Sequence, residues 1–343
     1  MTPPLLELRE VSVRFRNRRR ELTALDRVSL NVRTGSSVGL VGESGSGKST
    51  IARVVLGLVP VSSGEVLFDG RDITSVGFKT RRAIYRDMQI VFQDPFSSLN
   101  PDRSVGATLA EPLESFGLDS RSEVRRRVAE ILERVHLPGD SVVRFPHELS
   151  GGQRQRVAIA RALILEPRLV ICDEAVSALD LSVQAQILDL LKELQERLGL
   201  SYLFISHDLE VVRHMCDETV VLYRGQVMER GQTAELTETP AHPYTESLQR
   251  AAPLPNPRLQ RQRRGALRPA GAVTPVPDSS SGCVFAPRCA YSVTSCWQQQ
   301  PQLRAVGPVR VACDRFPAWR AESKSLSNGG SDSAYEFQLP EVR

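Results

Sequence analysis

No apolar run in this chain approaches the ~20 residues needed to span a bilayer. The first ten residues also lack the charged, apolar and small-residue layout of a signal peptide. Both absences predict a chain that stays in the cytosol and leave docking on a membrane protein open. Charge of one sign is scarce as well: 44 Lys and Arg face 40 Asp and Glu, a net charge of +4. That is too weak to mark a nucleic-acid binder. Closely spaced cysteine pairs are missing. Of six cysteines, Cys172 and Cys216 stand alone and read as buried small hydrophobes, whereas four crowd into 283–313. In a reducing compartment such a group suggests metal binding before disulfides. What remains is ordinary globular composition, 41% hydrophobic and 24% charged over 343 residues, enough for one main domain and an appendage.

The informative stretches begin with Leu5 to Phe15, which alternates like a strand and leads into an Arg-rich segment read as a solvated loop. Phe15 at its end is either a core aromatic or a ring that stacks on a base. Ser37 to Val41 is a short apolar strand running into Gly42-Glu43-Ser44-Gly45-Ser46-Gly47-Lys48-Ser49-Thr50. This is G-x4-G-K-[ST], the phosphate-binding P-loop. Its glycines let successive N–H groups wrap phosphates, Lys48 neutralises β/γ charge and the Ser49 hydroxyl suits Mg²⁺. A helix from Ile51 follows, so the required strand–loop–helix context is present. Gly64 to Gly70 reads as a strand ending in an Asp-Gly turn, and Met88 to Phe92 as a buried strand tipped by Gln93. A polar residue there lies where open α/β sheets place ligand contacts. Residues from about 101 to 147 look helical, with Val124, Val128, Ile131, Leu132 and Val135 on one face of Arg121 to Val135.

Leu149-Ser150-Gly151-Gly152-Gln153 is a second anion-binding pattern, with Ser150 as N-cap and a helix following from Arg154. A second cradle makes sense if it closes on nucleotide held by another subunit. Arg168 to Cys172 is an apolar strand ending in Asp173-Glu174, the Walker B pattern: the first acid supports Mg²⁺ and the second polarises water. Ser177 to Asp180 is a polar turn before a long helix, Val183 to Leu198. Tyr202 to Ile205 is another buried strand, with His207 at the same sheet edge as Gln93 and Glu174. Two more strands end the domain near residue 238, His242-Pro243-Tyr244-Thr245 opens a short helix, and 253–280 is a Pro-, Arg- and Ser-rich linker.

Taken together these motifs resemble the ABC transporter ATPases over residues 5 to about 238. The matching set is the P-loop, Gln93 as Q-loop, Leu149–Gln153 as signature, Walker B at Asp173-Glu174, Ser177–Asp180 as D-loop and His207 as switch histidine. The resemblance implies an α/β fold: a RecA-like P-loop core, an antiparallel β subdomain and a helical subdomain at about 94–160. A small Cys-rich C-terminal extension is added. It implies ATP and Mg²⁺ as cofactors. Phe15, Gly42, Ser44, Gly45, Gly47, Lys48, Ser49, Thr50 and Asp173 would bind nucleotide, with Ser49 and Gln93 toward the Mg²⁺. Ser150, Gly151, Gly152, Gln153 and Asp180 would serve the partner's ATP. Glu174, His207 and Gln93 would be the catalytic and γ-phosphate-sensing set.

A narrower resemblance, to the F-type ATPase subunit of oligopeptide/dipeptide importers, rests on Phe92-Gln93-Asp94-Pro95 with Ser98-Leu99-Asn100-Pro101, on Asp173 to Asp180 with Ser182 to Gln186, on His242-Pro243-Tyr244-Thr245 and on the C-terminal cysteines. Ala175 departs from the family's usual Pro. The implied partners are a second, non-identical ATPase, two integral permeases and an extracytoplasmic solute-binding protein, with no nucleic acid. The implied location is peripheral, on the cytoplasmic face of the inner or plasma membrane. A nickel, opine or glutathione importer shares these motifs; a soluble ABC ATPase acting on ribosomes or DNA usually carries paired units or coiled-coil insertions, absent here.

Five, six and sixteen residues separate Cys283, Cys289, Cys296 and Cys313. Structural zinc sites usually begin with closer pairs. Four thiolates also suit a [4Fe–4S] cluster, which the peptide-importer resemblance implies; zinc and no metal stay open. The expected division is therefore a nucleotide-binding domain at 1–238, a linker or regulatory segment at 239–280, a Cys-rich metal-binding segment at 281–320 and a flexible tail at 321–343.

Overall fold

The computed structural model describes residues 3–17, 20–117, 120–251 and 281–327. Its first element is a long hairpin of β1 (Leu6–Asn17) and β2 (Arg20–Val32), so Arg14, Arg16 and Arg20 of the stretch read as a loop lie in paired strands. The expected alternation is broken by bulges. Glu10 and Arg27 both have φ 49°, and the buried positions of β2 step from Leu25 to Val28 before resuming at Leu30 and Val32. A bulge adds one residue and resets the face, so a period-2 reading loses β2. β4 (Ser63–Phe68) pairs antiparallel with β1 and returns as β5 (Arg71–Asp72), completing a sheet of order β2-β1-β4-β5. The turn between them is the expected Asp-Gly, with Asp69 at φ 51° and Gly70 at φ 74°.

The second sheet is the centre of the molecule. β3 (Ser37–Val41), β6 (Met88–Val91), β7 (Leu169–Asp173), β8 (Ser201–Ser206) and β9 (Glu218–Tyr223) run parallel in the order β9-β3-β8-β7-β6. Parallel strands covered on both faces need apolar residues on both, which explains their continuous hydrophobic character. On one face Val38, Leu40, Leu169, Ile171, Leu203, Ile205, Val220 and Leu222 pack with the helix Lys48–Val55 and the antiparallel sheet. On the other, Val41, Val170, Cys172, Tyr202, Phe204 and Val221 pack against a helical layer that includes Gly151–Leu163 and Leu181–Leu198. The helices Val105–Phe116 and Arg121–Arg134 stand between β6 and β7, where the helical insertion was expected, and Val124, Val128, Ile131 and Leu132 are its buried face. Cys172 and Cys216 are buried, as expected of small hydrophobes.

The C-terminal chain differs most from expectation. β10 (Gln226–Gln232) pairs antiparallel with β9, and the hairpin β11 (Arg304–Val306) and β12 (Val309–Val311) then adds to β10. The Cys-rich segment thus extends the central sheet to eight strands instead of standing apart from it. Trp319 clamps it, 1% exposed and donating from Nε1 to the Ala241 carbonyl at 2.9 Å. The first part of the expected linker is also folded in: the helix Pro243–Ala251 buries Tyr244 and Thr245 completely. The proposed linker at 252–280 lies outside the described residues, as does all but the start of the 321–343 tail, which begins within the helix Ala318–Ser327. Among the described residues no helix is long and apolar enough to cross a membrane.

Candidate functional site

The C-terminal ends of β3, β6, β7 and β8 deliver the P-loop, Gln93, Asp173-Glu174 and His207 to one edge of the sheet, where ligand sites of open α/β sheets form. They open on a cleft of about 1160 Å³. Its lining includes Glu43, Ser44, Gly45, Gly47, Lys48, Ser49, Thr50, Gln93, Glu174 and His207. Phe15, 43% exposed, forms the opposite wall with Leu22, Thr23 and Ala24 from the tip of the hairpin. An exposed aromatic in the same cleft as the P-loop suits a stacked base.

The cradle depends on glycine at two positions. A Cβ on Gly42 would stand 2.2 Å from the Leu222 carbonyl oxygen and 2.7 Å from Ser46 Oγ. Gly47 has φ 110°, and its Cβ would stand 2.9 Å from the Ala24 carbonyl oxygen. The loop's backbone therefore lies flush on its neighbours at these two positions, a geometry that suits a phosphate cradle. Lys48 is buried, donating from Nζ to the carbonyls of Gly42 (2.7 Å) and Glu43 (3.0 Å). Burial lowers its pKa, opposed by the charges of Glu174, Asp173 and Glu43. Ser49 Oγ donates to Asp173 Oδ1 at 3.3 Å. Burial raises the Asp173 pKa, the Ser49 hydrogen bond opposes this, and Glu174 adds to it. A hydroxyl and a carboxylate already paired beside a phosphate cradle are a donor set that fits Mg²⁺.

Glu174 is held from several sides. It takes φ 50°, its N–H donates to the Ile205 carbonyl (3.0 Å), and its own carbonyl accepts from Ser177 Oγ (3.0 Å) and Ser177 N–H (3.1 Å). Non-glycine residues in that conformation concentrate at functional sites, because neighbours must over-determine them. Its carboxylate lies 4.0 Å from Lys48 Nζ and 3.6 Å from His207 Nδ1. Gln93 Nε2 reaches Ser177 Oγ at 3.4 Å. A glycine-rich loop, a buried cation and two adjacent acids thus converge at one edge of the sheet.

Ser150 to Gln153 and Asp180 are not brought to this cleft; none lines it. Ser150 caps the helix Gly151–Leu163 through a reciprocal box: Ser150 Oγ accepts from Gln153 N–H (3.3 Å), and Gln153 Oε1 accepts from Ser150 N–H (2.9 Å). Gly151 and Gly152 sit against Leu179 and Val183. Exposed Asp180 caps Leu181–Leu198, accepting from Val183 N–H at 3.0 Å, which holds its carboxyl below the usual range. Within one chain neither feature lines the cleft, and the nucleotide each is expected to serve is a partner's.

The four C-terminal cysteines lie near enough to influence one another. Burial pushes the Cys289 thiol up to about 12 and the Cys313 thiol up to about 11, and in each case neighbouring cysteines add to the rise. Burial also raises Cys283, opposed by hydrogen bonding from the Phe285 and Ala286 backbone. Yet among the described residues no group of three or more His, Cys, Asp or Glu is placed to hold a metal ion. That finding supports neither the zinc nor the [4Fe–4S] reading, since either needs its donors gathered around one point.

Sequence reasoning missed several residues of the site. Asp208, Leu209 and Arg224 line the cleft, and so do Leu248 and Ala251 from the helix after His242. Arg288 reaches Glu43 of the P-loop across 245 positions of sequence. Only the quoted His242-Pro243-Tyr244-Thr245 motif hinted that this region mattered.

Comparison with known proteins bears on the whole of this geometry. Residues 25–177 match the family model for the ABC transporter, and 228–296 match that of the oligopeptide/dipeptide transporter C-terminal region. A Brucella ovis protein named as a peptide import ATP-binding protein is 46% identical over 305 residues, covering 89% of this chain and 95% of that one. Among solved structures, CbiO1 from Clostridium perfringens, part of the ABC transporter complex CbiONQ, aligns with TM-score 0.62 at 30% identity. It covers 69% of this chain and 91% of its own. The ATP-binding cassette MJ0796, a dimer in a post-hydrolysis state bound to ADP and Pi, aligns with TM-score 0.61 at 32% identity, covering 66% and 98%.

Proposed function

The chain belongs to the ABC transporter ATPases of the peptide-import group, and from that premise we propose that it powers uptake of di- or oligopeptides through partner permeases. It works as one of two ATPase subunits facing head to tail. The observation that carries the dimer reading is the separation described above: a complete phosphate cradle on one edge, and a capped, glycine-rich helix N-terminus at Ser150–Gln153 that no nucleotide of its own chain could reach. Joined to a second subunit, each Ser150–Gln153 would close on the nucleotide in the other's cleft, with Asp180 beside the seam.

Within the cleft, Gly45, Gly47, Lys48, Ser49 and Thr50 bind the phosphates and orient the γ-phosphoryl group. Ser49 and Asp173, already paired, would hold Mg²⁺ with Gln93 nearby, and the ion when bound would supply charge neutralisation for the phosphates. Glu174 aligns a water for attack on the γ-phosphorus and accepts its proton as the P–O bond to ADP breaks, giving ADP and phosphate. His207, already 3.6 Å from Glu174, and Gln93, tied to Ser177, sense whether the γ-phosphate is present. Phe15 stacks on the base.

The subunit is a peripheral one on the cytoplasmic face of the membrane; its partners are a second ATPase, two permeases and a solute-binding protein. For the cysteines we propose a [4Fe–4S] cluster on Cys283, Cys289, Cys296 and Cys313, a unit wider than a single ion. Its support is the number of cysteines and the match of 228–296 to the oligopeptide/dipeptide transporter C-terminal region, not the geometry, since among the described residues no three such side chains are placed to hold a metal ion. Iron and acid-labile sulfide in anaerobically purified protein test it: about four of each per chain is expected, and none would remove it.

The test of the ATPase assignment is a pair of variants. Glu174→Gln should bind Mg-ATP as tightly as the unaltered protein and lose turnover by at least ~10²-fold. Lys48→Ala should lose nucleotide affinity. Full turnover in the first, or unchanged affinity in the second, contradicts the assigned roles.

A further inference from the structure

Glu43, the residue after the first P-loop glycine, is held by three partners at once. Its backbone N–H donates to Tyr244 Oη at 2.9 Å. Its carbonyl accepts from Lys48 Nζ at 3.0 Å. Its carboxylate takes both arms of the Arg288 guanidinium, Nη1 to Oε2 at 2.6 Å and Nη2 to Oε1 at 2.8 Å. Lys48 is the P-loop's own cation, whereas Tyr244 and Arg288 come from the chain beyond the nucleotide-binding domain.

The two outside partners form one structure. Tyr244, fully buried, has its ring 4.7 Å from that of Tyr223 at the end of β9 and 5.2 Å from that of Phe285. Tyr223 and Phe285 meet edge-on at 5.4 Å. The Arg288 guanidinium lies 5.8 Å from the centres of both the Tyr223 and Phe285 rings. Arg288 ends the short turn Ala286–Arg288, next to Cys289. An exposed ion pair contributes little, but this one is bidentate, half-buried against aromatic faces and aimed at a loop whose shape defines the site. Leu248 and Ala251, a turn or two after Tyr244, also wall the nucleotide cleft.

We propose that Tyr244 and Arg288 are positioning residues for the P-loop. They hold Glu43 from outside and, through its carbonyl, place Lys48, so that the docked Cys-rich segment sets the affinity of the cleft for nucleotide. Neither touches the reacting atoms. The proposal rests on the ATP-site reading above and adds to it a second input: what loosens the segment around Cys289 weakens ATP binding, and nucleotide in the cleft tightens the segment in return.

The test uses the full chain and a fluorescent ATP analogue with Mg²⁺. Arg288→Gln is expected to raise Kd about fivefold, the equivalent of ~1 kcal/mol. Glu43→Gln should weaken binding by a similar factor, and the double variant should be no weaker than either single one, because both remove the same pair. A role confined to general stability would lower the melting temperature of each variant without that non-additivity in Kd. If Arg288→Gln does not fold, Tyr244→Phe takes its place; it removes one oxygen, keeps the ring and should also weaken binding. Unchanged affinity in the folded variants, or additive single effects, overturns the proposal. Lys48→Ala separates the two readings. If the unaltered chain binds, Lys48→Ala does not, and Arg288→Gln and Tyr244→Phe bind normally, only this inference falls. If the unaltered chain does not bind nucleotide, the ATP-site reading falls with it.

Discussion

Replacing Trp319 should release the C-terminal segment while leaving the nucleotide-binding domain folded. The indole is 1% exposed, packs with Val309, Val311 and Cys313, and lies 5.3 Å from the Tyr291 ring. Its Nε1 supplies a donor to the buried Ala241 carbonyl. Trp319→Ala leaves a large cavity, costing about 3–5 kcal/mol. Trp319→Phe keeps most of the apolar contact and strands one acceptor, costing about 1–3 kcal/mol. These losses fall on the docking of the β11–β12 hairpin and the Arg288 turn against β10, because the main hydrophobic layers do not include Trp319. Limited trypsin digestion with mass-spectrometric mapping reads the effect at Arg288, Arg304 and Arg310. When opening is fast relative to cleavage, rates follow the open population, so Trp319→Ala should raise cleavage at these sites by roughly two to four powers of ten and Trp319→Phe by roughly one to two. Sites in the parallel-sheet core should stay protected. Cleavage in Trp319→Ala no faster than in the unaltered chain would refute a docked segment anchored by this residue.

Other outcomes follow from the same geometry. Glu229, fully buried on β10, accepts from the Ala241 and His242 N–H groups, and burial pushes its pKa up from 4.5 to about 7. The folded chain therefore holds a proton that the unfolded chain gives up between those values. Stability from this group is greatest at low pH and falls as pH rises through the window, by roughly 3 kcal/mol in all at about 1.4 kcal/mol per unit. Urea titrations across it should show that slope, and Glu229→Gln should lack it; an equally steep slope in the variant would contradict the assignment. Gly47→Ala should lower the melting temperature and weaken nucleotide binding at least ~10-fold, since φ 110° and the Ala24 carbonyl oxygen both reject a Cβ. Differential scanning fluorimetry with and without Mg-ATP checks both, and an unperturbed variant would mean the loop is not held as described.

The nucleotide site was legible in the sequence because its parts are local. A P-loop, an apolar strand tipped by two acids, and a polar residue after each buried strand are short motifs, and parallel strands then bring their C-terminal ends together at one edge. The capping box at Ser150 was legible for the same reason. β2 was not, because the bulges at Glu10 and Arg27 shift the buried positions out of period. The β11–β12 hairpin escaped notice because three-residue strands carry almost no periodicity; they form only against β10. Arg288 and Glu43 meet solely through tertiary folding, and no spacing rule predicts a pair so far apart in sequence. The cysteines are the opposite case: four in one short segment suggested a metal site, but whether four thiols converge depends on turns that their spacing does not encode.

The account's central claim is that this chain is the ATPase of a membrane importer, and co-purification tests it most directly. A tagged copy should be expressed in its native cell, captured from detergent-solubilised membranes, and its companions identified by mass spectrometry. The account predicts two integral permeases and a second ABC ATPase, with a peptide-binding protein associated with the same permeases. Recovery in a soluble complex with ribosomes or DNA, and with no integral membrane protein, would contradict it.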